Sequence, residues 1–241
     1  MSQEPGIDVA SSASASIRDL LAKHPRIGRV VAGESLGVNF QQDDWSREVR
    51  IGDTKTELYG LVEVIDNNPL VCADIVSVPG KAATLALIAL APLIRAGLVA
   101  DSPVVILNFP ADNEEVARAL EREGLKTGVA VHSEPLDLGG VLAASVMVSI
   151  ETPEDLDEID FLYNEQFGRS FYVRRDETSE WGSEVVQNKP FAVYRIRISP
   201  DEPNSLLTIR LLSDPEGKCG AGQVIHALNI MCGFEETLAV G

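Results

Sequence analysis

Aromatic side chains are scarce, at 5% of the 241 residues, so Val, Ile, Leu and Ala must build the core. Positive charge is short as well: 20 Lys and Arg stand against 37 Asp and Glu, for a net charge of -17. A polyanion repels phosphate backbones and anionic lipid surfaces, which argues against nucleic acid and membrane as partners. Only three cysteines occur, Cys72, Cys219 and Cys232. No two form a CxxC pair and no His stands at ligand spacing from any of them, so no metal site is expected. So sparse and odd a set fits a reducing compartment, and a cytoplasmic location is expected. A bilayer-spanning run is missing too. The most apolar stretch, Ala82 to Ile94, is short, contains Pro92 and is followed by Arg95. The opening residues have neither the basic nor the apolar region of a signal peptide, and disorder is expected there.

What is present is a series of α/β signals. Ile17 to His24 reads as a short amphipathic helix, with Ile17, Leu20 and Leu21 on one face and Pro25 as its stop. Arg29 to Ala32 is a short strand. Residues 33 to 56 are polar and read as a loop or linker. Ile75 to Val78 is a strand that runs into Pro79-Gly80, and Ala82 to Leu98 follows as a core helix. Val104 to Leu107 is an apolar strand, and Asn113 to Glu123 a polar helix ended by Gly124. Val141 to Ile150 is β-rich, and Glu154 to Phe167 has helical spacing. Ala192 to Ile198 and Leu206 to Leu212 form a strand pair joined by the turn-rich Ser199 to Asn204. Gly220 to Met231 closes the chain as a helix. This order predicts an α/β or α+β protein with a mixed or antiparallel sheet.

Three segments carry a family resemblance. Ala73 to Leu98, with Val-Pro-Gly-Lys at 78–81 and Leu-Ala-Pro-Leu at 90–93, resembles the strand, catalytic turn and helix of N-acetyl-γ-glutamyl-phosphate reductases. There the turn reads Asn-Pro-Gly-Cys. Tyr59-Gly-Leu61 and Glu63 resemble the family's preceding Tyr-Gly-Leu-Pro-Glu. In the C-terminal helix, Lys218, Ala221, Gly222, Gln223, Asn229, Met231 and Gly233 fall in register with the family's ending, and Phe171 to Arg174 is similar to its Pro-Phe-Val-Arg. Leu20 to Pro25 resembles the end of the helix that follows the family's dinucleotide loop. The chain is identified on these residues as a degenerate member of that reductase and semialdehyde dehydrogenase family of amino-acid biosynthesis. The resemblance implies a truncated Rossmann-like half with a polar linker over residues 1–57, then a semialdehyde-dehydrogenase-like domain with a mixed or antiparallel sheet over 58–241.

The departures fall on the chemistry. The glycines of the family's Gly-x-x-Gly-x-x-Gly let the backbone approach a pyrophosphate. Asp8, Ser11 and Ser14 hold those positions here, with the Asp8 carboxylate facing where phosphate would lie, so no cofactor is expected. The nucleophilic Cys is replaced by Lys81, and an ammonium with an ordinary pKa of about 10.4 cannot attack an acyl phosphate. The family's two histidines of the general-base stretch are replaced by Pro110 and Asp112, while Glu115 remains. His132 slips out of register and takes no role. The cysteines read as small buried hydrophobes.

Three functional readings follow from this pattern. In the first, the chain is a non-catalytic binding, scaffold or partner subunit, forming a homo-oligomer or pairing with a related chain. In the second, Lys81 forms a Schiff base with an amino-acid semialdehyde or related carbonyl compound, while Arg174, Lys218 and Gln223 hold an acid group of a small amino-acid-derived ligand. In the third, reductase activity is complemented in trans by a partner with an intact glycine loop. Trp45 and Trp181 are candidate interface anchors, or plain covers of a domain edge.

Overall fold

The computed structural model describes residues 6–12, 14–33, 37–42, 45–65 and 67–240. The disorder expected at the start of the chain falls on residues 1–5, outside this description. Contacts divide the chain into two compact units, Met1–Pro79 with Gly220–Gly241, and Gly80–Cys219. The boundary expected between residues 57 and 58 falls inside the first unit, and the C-terminal helix belongs to that unit also.

The first unit opens with β1 (Asp8–Ser11), α1 (Ala15–Lys23) and β2 (Arg29–Val31), a parallel βαβ crossover. α1 forms because Ile17 and Leu21, one turn apart, share a buried face, and because the Ser14 hydroxyl accepts the Ile17 N–H. Residues 33 to 56, expected as a polar loop, instead hold β3 (Val38–Gln42) and β4 (Trp45–Ile51), an antiparallel pair. The alternation that betrays them is Val38, Phe40 and Val49, all fully buried, between polar residues on the other face. A half-buried strand needs apolar residues only at every second position, so polar composition did not exclude it. β5 (Leu58–Tyr59), α2 (Asn67–Cys72) and β6 (Ile75–Val78) complete the unit's first part. The sheet order is β2-β1-β3-β4-β6-β5.

The second unit starts at α3 (Lys81–Arg95), in which Ala82 through Ile94 are all buried. Then come β7 (Val104–Leu107), α4 (Asn113–Arg122), β8 (Ala130–Ser133), β9 (Leu142–Glu151), α5 (Asp157–Phe167), β10 (Val173–Arg175), β11 (Ala192–Ser199) and β12 (Asn204–Ser213). Their sheet is mixed and six-stranded, in the order β10-β11-β12-β9-β7-β8. Its inner face is read from the register: Val146, Ile209 and Ile196 lie side by side, as do Ala144, Leu211 and Tyr194. α3 and α5 pack on this face. The Tyr163 hydroxyl of α5 donates to Ala89 O, and its ring lies 5.4 Å from that of Tyr194. Each Leu or Ile so buried contributes roughly 1.5–3 kcal/mol. On the outer face, Val193 and Leu212 form a small cluster with Val141 and Val186, against which Trp181 packs.

The chain then returns to the first unit as α6 (Ala221–Met231), buried along its whole length and packed against α1, α2, β4 and β6. The tail beyond it is tied down by Asn229, whose Nδ2 donates to Glu236 O at 3.0 Å and Leu238 O at 2.9 Å.

Candidate functional site

The turn that the resemblance singled out lies at the start of α3. Gly80 is the N-cap, and its carbonyl accepts the Thr84 N–H at 2.8 Å. The Gly80 N–H donates to Glu115 Oε1 at 2.6 Å. A Cβ on Gly80 would fall 2.5 Å from the other carboxylate oxygen, so any larger residue here would push the end of the Glu115 side chain aside. The carboxylate lies at the positive end of the α3 dipole and takes an N–H there that an external anion would otherwise use. Asp112 accepts from the backbone N–H groups of Glu114 and Glu115 and so starts α4, which carries Glu115.

Lys81 is the first residue of α3. Its side chain is 44% exposed, and its ammonium is 3.9 Å from Glu216 Oε1, itself 43% exposed. A pair this wet is worth little. Glu216 belongs to a tight turn. Asp214 accepts the Glu216 N–H through one carboxylate oxygen and the Asn188 N–H through the other. Gly217 sits in the same turn because a Cβ there would lie 2.3 Å from Lys189 O. The turn drives Lys218 and Cys219 inward. Lys218 is fully buried, with its ammonium 5.7 Å from the centre of the Tyr172 ring. Burial pushes the Cys219 thiol up to about 11, against the opposing pull of its Ser213 hydrogen bond and of nearby Lys218 and Lys81. A thiol with that value is protonated near neutral pH and is not a nucleophile. Cys232 is likewise pushed up by burial, to about 12, and Cys72 is exposed. The expectation of buried thiols thus holds for Cys219, while Cys72 departs from it.

The other candidates are dispersed. Arg174 pairs with Val193 across β10 and β11, which puts it on the outer face of the second unit's sheet, opposite to α3. Its guanidinium carbon lies 3.9 Å from the centre of the Phe191 ring and 4.8 Å from that of Phe171, and its Nε donates to Phe171 O. Gln223 lies in the first unit and donates to Pro79 O at 2.8 Å. His132 is also on the outer face, beside Ile106.

The three positions matched to the dinucleotide glycines are also in the first unit. Asp8 lies within β1 with its side chain exposed, not in the turn, which corrects the expectation that its carboxylate faces the phosphate position. Ser11 ends the strand and is buried. Ser14 caps α1 with its hydroxyl 3.4 Å from the Ile17 nitrogen. A pyrophosphate at this helix end would compete with Ser14 Oγ for that N–H and would meet side chains where the glycine motif offers none. The residues present do not fit a dinucleotide in the manner of that motif. Sequence reading gave no role to His226 and Glu63, buried side chains 3.9 Å apart in the first unit, because nothing in their spacing announces the pair.

No family model matches the chain. It is 23% identical over 237 residues to the N-acetyl-gamma-glutamyl-phosphate reductase of Bacillus cereus (strain 03BB102), covering 83% of this chain and 67% of that protein. To the Bacillus anthracis protein of the same name it is 24% identical over 234 residues, covering 82% of this chain and 66% of the relative. The chain therefore spans about two thirds of the length of these relatives. Among solved structures, aspartate semialdehyde dehydrogenase II from Vibrio cholerae, complexed with ASA, is similar in fold, with a TM-score of 0.62 at 11% identity over 95% of this chain and 99% of that one.

Proposed function

From its place as a distant relative of the N-acetyl-gamma-glutamyl-phosphate reductases, built on the fold of a semialdehyde dehydrogenase, we propose that this chain acts by binding, as a non-catalytic subunit, and not as an NADP-dependent reductase. One observation carries the reading. At the turn that would present the nucleophile, the first helical residue is a solvated lysine, and the leading N–H is already given to Glu115. Acyl-phosphate reduction through a thioester needs a thiolate there, and the neighbouring Cys219 thiol is buried and protonated. The Ser14 cap on α1 supports the same reading from the cofactor side.

The Schiff-base alternative needs a desolvated Lys81, and this side chain is 44% exposed beside Glu216. The direct test is phosphate-dependent reduction of NADP⁺ with a panel of amino-acid semialdehydes, with NADPH binding followed by calorimetry. The expected result is neither turnover nor saturable binding. Turnover by the purified chain overturns the proposal. Turnover only on addition of a related chain revives complementation in trans, and borohydride trapping of a carbonyl compound on wild type but not on Lys81→Ala revives the Schiff base.

A further inference from the structure

We infer that the cleft between α5 and β10, at the edge of the second unit, is a binding site for a free α-amino acid with a large apolar side chain, held through Tyr194 and Arg175. No residue of the α3 turn lines this cleft, so the site stands or falls independently of the loss of reductase chemistry.

β10 is an edge strand of its sheet, only 3 residues long and parallel to β11. Arg175 of β10 is directly opposite Tyr194 of β11, so both side chains lie on the inner face, the side that α5 covers. Arg174 turns to the other face, with its guanidinium against the rings of Phe171 and Phe191, so its charge does not enter the cleft. α5 does not close fully on this edge. A cavity of about 530 Å³ remains, lined by Asp160, Phe161 and Phe167 of α5, Val173 and Arg175 of β10, and Tyr194. That volume is within the range of small-molecule sites. The turn from α5 into β10 is fixed by Ser170, whose hydroxyl oxygen accepts the Tyr172 and Val173 N–H groups at 3.0 Å each. The cleft is therefore pre-formed, which lowers the ordering cost of binding.

Tyr194 is the residue that points to a ligand. It is 2% exposed, with its ring 5.4 Å from that of Tyr163 and 6.0 Å from that of Phe167. Tyr163, packed beside it, gives its hydroxyl to Ala89 O. The Tyr194 hydroxyl, among the described residues, makes no hydrogen bond, and Tyr194 lines the cavity. A buried hydroxyl without a partner is costly and rare, and a ligand acceptor in the cleft would satisfy it. Burial pushes the Tyr194 phenol up to about 12, so near neutral pH it offers a proton to an acceptor.

The charges around that donor select the acceptor's molecule. Arg175 pairs through Nη1 with Asp160 at 2.8 Å and through Nε with Glu177 at 2.6 Å, which leaves Nη2 without a partner among the described residues. An anion alone would meet two carboxylates, and a cation alone would meet the guanidinium. A neutral molecule would take water from all three charges and return no hydrogen bond to an ion. A zwitterion answers both signs: its carboxylate accepts from the Tyr194 hydroxyl and Arg175 Nη2, and its ammonium donates to Asp160. Phe161, 65% exposed, with Phe167 and Val173, supplies the apolar wall for a large side chain.

The test is calorimetry with L-phenylalanine and L-leucine, and with the two phenylalanine analogues that lack one charge each, 3-phenylpropionate and phenethylamine. It is run on the full chain and on Tyr194→Phe, Arg175→Gln and Phe161→Ala. Saturable binding of an amino acid in the ~millimolar range or tighter is expected, with each analogue at least about tenfold weaker, as for loss of a charge-assisted hydrogen bond. Tyr194→Phe keeps the packed ring and removes a hydroxyl that holds no other part of the fold, and should weaken the amino acid at least about fivefold. Arg175→Gln leaves Asp160 and Glu177 unmatched and should turn the preference toward phenethylamine, an inversion that a merely loosened fold would not give. Phe161→Ala should weaken phenylalanine and both analogues. No saturation with either amino acid, equal binding of phenylalanine and its analogues, or unchanged affinity in Tyr194→Phe overturns the inference. Semialdehyde turnover together with amino-acid binding would sink the proposed function and leave this site standing; absence of both would do the reverse.

Discussion

His24 is held as a neutral imidazole by the groups around it. The Arg26 N–H can only donate, so Nδ1 accepts it at 3.2 Å, and Nε2 must carry the proton given to Asn229 Oδ1 at 2.8 Å. Burial lowers the pKa of His24 from its ordinary 6.5, and the Asn229 hydrogen bond offsets this only in part. Protonation would place a second N–H against that of Arg26. The unfolded chain therefore takes up the proton more readily than the folded one. This contribution to stability is complete above pH 6.5 and is lost as pH falls below it. A melting temperature that declines from pH 7 to pH 5 is expected, with a shallower decline in His24→Gln. Equal slopes in the two proteins would rule out the proton-linked role. The depressed carboxyl of Asp53, held down by Arg50, acts only below its ordinary 3.8 and does not enter this window. None of this was legible in the sequence, because His24 and Asn229 are far apart in the chain and meet only when α6 packs on α1.

At the scale of the element, α4 is a polar helix whose start matters more than its face. Its cap, Asp112, occupies a position where the family resemblance expected a histidine, and here it bonds two backbone N–H groups. Asp112→Ala should cost about 1 kcal/mol, the usual value of an N-cap. That corresponds to a fall of roughly 2–4 °C in melting temperature for a chain of this size. No change would mean that the cap is already satisfied by solvent. β6 and β7 were readable to the residue, since Pro79-Gly80 ends β6 and β7 is apolar throughout. β3 and β4 were not, because Arg47, Glu48 and Arg50 dilute the buried Val38, Phe40 and Val49. α2 escaped for another reason: Pro69 sits near its start, where the missing N–H costs nothing but where a reader of sequence sees a breaker.

Over the whole molecule, 37 acidic against 20 basic residues leave a self-repulsion that opposes compaction. Salt screens it, as the Debye length shrinks from ~30 Å at 0.01 M to ~8 Å at 0.15 M ionic strength. Melting temperature is expected to rise over that range in sodium chloride. A fall would show that attractive pairs such as Arg50 with Glu48 and Asp53 outweigh the net repulsion. Among the described residues no helix is long and apolar enough to cross a membrane, as the Pro92 and Arg95 punctuation of α3 foretold.

Local sequence determined that α3 is a core helix, that its first residue is a lysine, and that the chain is similar to proteins named as reductases. These are properties of side-chain type and spacing, which need no partner. Tertiary structure alone decided that Glu115 closes the Gly80 N–H, that Lys218 and Cys219 are buried, and that Arg174 faces away from the α3 turn. It also set Arg210 of β12 directly opposite Arg195 of β11. Each of these depends on which distant segment closes against which, and the free energy of such closure comes from burial across the sheet rather than from the residues in the segment itself.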